Sequence, residues 1–372
     1  MKRYIFIVAA VALAAVSCSK TYDVNPASPR EIGFRNWTEN LTKARTAGTS
    51  VFAAGDSIAV YGYKDSLDNS ASHTVFDDVV LNTTDGTNWT YDTPRFWDIN
   101  YEKYVFYAVS PAVVGTEGDV NPLTGAITSD TISFPGDDYD VLVADSTTVL
   151  RGDSPATYFN TFGKVPLVFN HVTSMVDFKV KKSSSLADAT VTVSAFELSQ
   201  IDTAGVLTVN AIYTGGHPVA SWEPAASAKN TYGPADGVVP VDITSPIEIA
   251  KDDTFDPANT TAGTDPAAST TLIDSLIVMP QTFGTTGGAT SQQLSITYTI
   301  EVAGGGSNTY TSTLYLADFD FIDNGEQATE YVAGWEPGKH YTFFITIDAH
   351  KIDFSATITD WVAVKGYHYL TN

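Results

Sequence analysis

Ser174-Met175-Val176-Asp177-Phe178-Lys179-Val180-Lys181 decides the fold class of this chain. Val176, Phe178 and Val180 fall on one side of an extended backbone and Asp177, Lys179 and Lys181 on the other, because successive side chains of a strand point to opposite faces. Strict alternation of this kind predicts a half-buried strand with its polar face toward solvent. The same period of two recurs further along. Leu294, Ile296, Tyr298, Ile300 and Val302 alternate with Ser295, Thr297, Thr299 and Glu301, and Ile352, Phe354, Ala356 and Ile358 alternate with Asp353, Ser355, Thr357 and Thr359. The stretches Ser57 to Tyr63 and Tyr104 to Val109 supply further strand candidates. Beyond the N-terminus no window carries a long helical stripe. Short strands separated by Gly, Pro, Asn and Asp clusters predict an all-β chain of antiparallel β-sandwiches with Greek-key-like connections.

A chain of 372 residues has room for two domains that each bury a core. The boundary is expected in the Ser154 to Gly163 stretch, ahead of the strand that starts near Val165, which gives an N-terminal sandwich over 46–160 and a C-terminal one over 161–372. Polar stretches from Pro224 to Asp236 and from Asp252 to Thr270 read as long loops of the second domain. With 43 acidic against 20 basic residues the net charge is −23, a surface that repels phosphate backbones and anionic headgroups and so excludes nucleic acid as a partner. Abundant aromatic residues and sparse charged ones oppose disorder and favour a packed, strand-rich protein.

Residues 1–17 carry the three parts of a secretory signal: basic Lys2 and Arg3, an apolar run from Ile5 to Val16, then small Ala14, Ala15 and Ser17. The apolar run is well short of the roughly 20 residues a spanning helix needs. Cys18, the only cysteine, follows at once. Leu13-Ala14-Ala15-Val16-Ser17-Cys18 resembles a bacterial lipobox, with Ala15 where such motifs prefer Leu. The resemblance implies a diacylglycerol on the Cys18 thiol and an outer-membrane lipoprotein precursor, anchored to the membrane only through that lipid. With Cys18 so consumed, a disulfide, a cysteine nucleophile and a thiolate metal site are all excluded from the mature chain.

Catalytic chemistry finds little support. His73, His171, His217, His340, His350 and His368 are scattered, with no H-E-x-x-H or similar spacing, and read as structural or solvated. Asp318, Asp320, Asp323 and Asn324 before Gly325 only faintly resemble a calcium loop, because their spacing departs from D-x-[DN]-x-[DN]-G. Asp137, Asp138 and Asp140 after Pro135-Gly136 read as solvated carboxylates of an acidic turn, and Arg151-Gly152-Asp153 reads as a turn although it spells an integrin-type tripeptide. Neither a nucleophile elbow, a phosphate loop nor an isolated pair of acids is present, so no enzyme activity, cofactor or metal is expected.

A series of phrases resembles the fimbrillins, the Mfa-like and FimA-like pilus lipoproteins of Bacteroidales. They are Ile32-Gly33-Phe34; Phe52 through Val60-Tyr61-Gly62-Tyr63; Trp89 with Arg95-Phe96-Trp97; Tyr104 to Pro111; Asp140-Val141-Leu142-Val143-Ala144; Val165 to Phe178 with His171; Met279-Pro280-Gln281; and Trp335-Glu336-Pro337-Gly338-Lys339-His340-Tyr341 leading to Trp361. The resemblance implies two transthyretin-like sandwiches and an assembly mechanism. In that mechanism an N-terminal strand of the lipidated precursor fills a groove in the first domain, a trypsin-like protease cuts after an arginine, and the vacated groove takes a strand from the next subunit. Here the resemblance makes residues 18–45 the lipidated segment, Ile32 and Phe34 the seat of the plug strand, and Arg45 with Thr46 the cut, within Lys43-Ala44-Arg45-Thr46-Ala47-Gly48; a plain tether between lipid and domain fits the same residues, because a single arginine in a linker has low specificity. The donor is the C-terminal segment, Ile352, Phe354, Ala356 and Ile358 with the tail from Trp361 to Asn372, whose alternation equally suits an ordinary last strand. The partners are other pilus subunits of the same class, together with host or bacterial surface ligands, and the location is the fimbrium at the cell surface. Ser19-Lys20-Thr21-Tyr22 stands where surface-exported lipoproteins of these bacteria often carry acidic residues. The rival is a surface glycan-binding lipoprotein in which Trp89, Trp97 or Trp222 stack on sugar rings.

Overall fold

The computed structural model describes residues 30–36, 52–66, 72–86, 88–116, 118–123, 125–134, 140–153, 158–159, 163–211, 218–226, 229–232, 247–248, 269–288, 291–323, 326–331, 333–348 and 352–360. Cys18, Arg45 and Thr46 lie outside these residues.

The all-β expectation holds: among the described residues one five-residue helix, Ala112–Thr116, accompanies sheets built from short strands. The first sheet has seven strands and is antiparallel throughout. Its order runs Phe169–His171, Leu142–Ala144, Tyr101–Ser110, Ser57–Ser66, Ser72–Thr83 and Trp89–Thr90, with Thr147–Leu150 as a further partner of Tyr101–Ser110. Both of its faces are covered. On one side Ala59, Tyr61, Tyr107, Val109 and Val143 pack on Ile127, Ile132, Leu207 and Val209 of a four-stranded sheet, and on the other Ile58, Val60, Tyr104, Phe106 and Leu142 pack under Ile32, Phe34, Val165 and Leu167. Two-sided burial explains why Tyr104-Val105-Phe106-Tyr107-Ala108-Val109 is a continuous apolar run instead of an alternating one.

The four-stranded sheet runs Val219–Pro224, Ala204–Asn210, Ala126–Ser133 and Asp119–Asn121. Residues from either side of position 160 therefore share sheets, since Ala204–Asn210 pairs with Ala126–Ser133 and Phe169–His171 pairs with Leu142–Ala144.

The remaining described residues form mainly a sandwich of two sheets around one apolar cluster. A six-stranded sheet runs Thr270–Val278, Ser174–Lys182, Lys339–Ile347, Ile352–Asp360, Asp320–Asp323 and Glu326–Tyr331. Two of its pairings are parallel: Ser174–Lys182 with Lys339–Ile347, and Asp320–Asp323 with Ile352–Asp360. Facing it, Ala189–Asp202, Gln293–Val302 and Ser307–Tyr315 form an antiparallel meander, to which Lys229–Tyr232 and Ile247–Glu248 add on the far side of Ala189–Asp202. Val176, Phe178 and Val180 meet Val193, Phe196, Ile296 and Ile300 in this core, as their alternation predicts.

The polar half of that alternation departs from expectation. Asp177, Lys179 and Lys181 are buried rather than solvated. Burial is tolerable because polar partners come with it: the Asp177 carboxylate accepts the Ser275 N–H at 2.7 Å and meets His340 Nε2 at 2.7 Å, with Thr342 Oγ1 at 3.4 Å.

Candidate functional site: the N-terminal strand and its groove

Residues 30–36 run as one segment against the first sheet, and within them Phe34–Asn36 is a strand. Phe34–Asn36 pairs in parallel with Val165–Leu167, and the Val165 N–H donates to the Gly33 carbonyl at 2.8 Å. On the opposite side the Ile32 N–H donates to Arg95 O at 2.8 Å, the Trp97 N–H donates to Arg30 O at 2.9 Å, and single bridges join Glu31 to Phe96 and Arg35 to Asn88. A segment hydrogen-bonded along both edges occupies a groove between residues 88–97 and 165–167; a surface tether would have no such neighbours.

Side-chain burial fixes the register. Ile32 and Phe34 are both 0% exposed and belong to the cluster under the first sheet. The Phe34 ring is met edge-on by Phe76 at 5.1 Å, Phe106 at 5.5 Å and Tyr91 at 6.4 Å between centroids. Tyr91 also donates its hydroxyl to Ile32 O at 2.7 Å, so one side chain touches both the backbone and the anchoring ring of the strand. Arg95 stacks its guanidinium 5.0 Å from the Phe76 centroid and donates from Nε to Val75 O at 2.5 Å, holding the groove wall that receives the Ile32 N–H. A one-residue slip would turn Ile32 and Phe34 out of this cage and Gly33 into it.

The residues foreseen as the plug seat, Ile32 and Phe34, are thus brought together with a groove. Of its wall, Arg95, Trp97 and Val165 were quoted from the sequence without a link to position 34 and Tyr91 was not singled out, because nothing local links position 34 to position 165. The foreseen donor residues Ile352, Phe354, Ala356 and Ile358 lie in an internal strand, paired over nine residues with Lys339–Ile347 and over three with Asp320–Asp323.

Several other singled-out residues have structural duties. Asp140, expected to be solvated, is buried: Oδ2 lies 2.6 Å from His171 Nδ1 and Oδ1 accepts the Thr173 hydroxyl at 2.5 Å. This cluster braces the chain where it passes from the first sheet into the six-stranded one. Here also Trp222 Nε1 donates to Val172 O at 2.7 Å and Ser174 Oγ to Glu336 O at 2.7 Å. Arg151 is half-buried, donating to Ile99 O at 3.2 Å with its guanidinium 5.7 Å from the Tyr158 centroid, so the arginine of the Arg-Gly-Asp tripeptide is engaged within the fold. Trp89 and Trp97 belong to the core, Trp97 stacked on Phe159 at 4.7 Å, which removes both from any exposed sugar-stacking platform. Asp320–Asp323 is a strand and not a loop, and among the described residues no group of three or more His, Cys, Asp or Glu side chains could hold a metal ion.

Comparison with known proteins places this groove in context. The fimbrillin-like family model matches residues 42–361. The chain belongs to the fimbrillin-like family. The fimbrium subunit Fim1C of Phocaeicola vulgatus is 27% identical over 210 residues, which cover 51% of this fimbrillin and 54% of that protein. The matched region spans about half of that relative's length. Among solved structures, a fimbrial protein from Bacteroides vulgatus superposes with a TM-score of 0.52 at 17% identity, covering 90% of this chain and all of that one. A fimbrilin from Porphyromonas gingivalis W83 gives 0.43 at 8% identity, covering 91% of this chain and 98% of that one.

Proposed function

We propose that this fimbrillin is a structural or adhesive, non-enzymatic subunit of a cell-surface fimbrium, exported as a lipoprotein precursor on Cys18 and assembled by protease-triggered strand exchange. The observation that carries the proposal is the state of Ile32-Gly33-Phe34, which is fully buried at its apolar positions and hydrogen-bonded on both edges. Its only covalent route onward to the first sheet runs through residues 37–51, which contain Arg45 and Thr46. A cut after Arg45 leaves the plug held by side-chain burial and main-chain hydrogen bonds alone, and its departure frees a groove lined for an extended strand. Membership of the family and the named fimbrial relatives support the same role.

The incoming strand is assigned to the C-terminal segment of a neighbouring subunit. Because Ile352–Asp360 has partners on both sides in the six-stranded sheet, donation is assigned to the residues that follow, 361–372, which lie outside the described residues. Trypsin in limiting amount, applied to the chain from residue 18 onward with Cys18→Ser, tests the scheme. A cut after Arg45 followed by SDS-resistant ladders is expected. A chain that is cut there, loses residues 18–45 and stays monomeric would overturn strand exchange.

A further inference from the structure

We propose a second association surface, independent of the groove, at the edge strand Ser307–Tyr315, with a second copy of this chain as its occupant. This strand is the outermost of the meander that ends Ala189–Asp202, Gln293–Val302, Ser307–Tyr315, and among the described residues nothing pairs with its outer edge. In an antiparallel ladder alternate residues turn both main-chain groups away from the neighbour, so about half of its nine residues offer N–H and C=O groups outward.

Protein sheets normally blunt such edges with charge, proline, bulges or brevity. The other margins of this fold follow the rule. Glu326–Tyr331 carries Glu326 and Glu330, and Val219–Pro224 carries Glu223 and Pro224. Thr270–Val278 carries Asp274 and register shifts, Ser72–Thr83 carries Asp77 with Asp78 at φ +52°, and Asp119–Asn121 is only three residues long. Ser-Asn-Thr-Tyr-Thr-Ser-Thr-Leu-Tyr has no charge, no proline and nine consecutive pairs with Gln293–Val302 without a shift. In a chain of net charge −23 this is a long neutral strip, without a register shift and, among the described residues, unpaired on its outer edge.

Self-complementarity selects the occupant. Turned antiparallel about Thr311, two copies set Thr309 against Thr313 and Thr311 against Thr311 on one face. This extends the hydroxyl pairs already present between Thr297 and Thr311 at 3.0 Å and between Thr299 and Thr309 at 2.9 Å. On the other face Tyr310, 44% exposed and stacked on Tyr298, would gain cover from Ser312 and Tyr310 of the second copy. The nine residues Ser307–Tyr315 include no Asp, Glu, Lys or Arg, so no like charges are opposed along the paired edge. A basic partner would be drawn to the acidic remainder of the surface rather than to this strip. The pairing joins two subunits side by side and so could link neighbouring filaments laterally.

Sedimentation equilibrium of the uncut chain from residue 18, with Cys18→Ser, tests the inference. A nine-residue edge is smaller than a standard interface, so dimer is expected to grow in over roughly 10 µM to 1 mM. Association should tighten as salt shrinks the screening length from about 30 Å at 0.01 M to about 3 Å at 1 M, because two anionic bodies are being brought together. Thr311→Lys, which sets two ammonium groups on the two-fold axis, should abolish the dimer. In a companion pair of variants, Thr311→Cys should oxidise to a disulfide-linked dimer, since opposed residues sit about 4.5–5.5 Å apart at Cα, within disulfide range. Ser194→Cys, on the same sheet but two strands inward, should not. A wild-type chain that stays monomeric throughout, a dimer indifferent to Thr311→Lys, or equal cross-linking at 194 and 311 would overturn the proposal. The cysteine comparison decides it even where Thr311→Lys fails to fold.

Discussion

Replacement of Phe34 by alanine is the most direct test of the N-terminal strand as a removable plug. The ring is fully buried and is met edge-on by Phe76, Phe106 and Tyr91. Deleting a buried Phe side chain costs about 3–5 kcal/mol, the three ring contacts supplying about 0.5–1.5 each. In the uncut chain that loss falls on the stability of the fold as a whole. After cleavage between Arg45 and Thr46 it falls on the residence of residues 18–45 in the groove, where tenfold per 1.4 kcal/mol converts it to a release roughly a hundred to several thousand times faster. The assay is to cut the wild type and Phe34→Ala chains with trypsin at equal extent, pass each over a sizing column at intervals, and follow the mass of retained peptide. A second readout is the onset of SDS-resistant ladders, which should come earlier for Phe34→Ala if plug departure limits exchange. Release rates within threefold of each other would refute the reasoning, since they would mean that Phe34 does not hold the segment.

Tyr91→Phe keeps the ring beside Phe34 but deletes the bond to Ile32 O, so release should quicken by a smaller factor of about five, worth about 1 kcal/mol. Arg45→Gln should leave the monomer folded and resistant to trypsin at this position, with ladders lost; ladders that persist would place the processing site elsewhere. Asp140→Ala removes the acceptor of both the His171 and Thr173 contacts and should lower the calorimetric transition, at about 1–3 kcal/mol for each buried group affected. For Asp177, burial pushes the carboxyl pKa up, but the His340 side chain and the Ser275 N–H outweigh it and hold the group below its ordinary value. A depressed folded pKa adds stability that is present above the unfolded value of about 3.9 and lost as pH falls through the folded one. Asp177→Asn should therefore flatten the acid limb of a stability curve below about pH 4 while leaving its shape near neutrality unchanged; an acid limb identical to wild type would refute that assignment.

The residues themselves determined the strand class and, in places, its facing. Alternation at Val176, Phe178 and Val180 and at Leu294, Ile296 and Ile300 is a local property of an extended chain, and it predicted which side chains enter the sandwich core. Ile32 and Phe34 could be recognised as an apolar pair spaced to seat on one face, because i and i+2 share a face in any strand. Their neighbours could not. The pairing of Phe34 with Val165 spans 131 positions, and no periodicity encodes which distant edge a short strand will join. Burial of polar groups was decided the same way. Asp140, Asp177, Lys179 and Lys181 look solvated in a sequence because isolated charges are costly to bury. They are interior here because tertiary packing delivers partners, such as His171 and Thr173 to Asp140 and His340 and Ser275 to Asp177. The chain alone thus determined the strand class and several of the strands, whereas packing decided which segment lies against Val165–Leu167, which edge has no partner among the described residues, and which charges find a partner away from water.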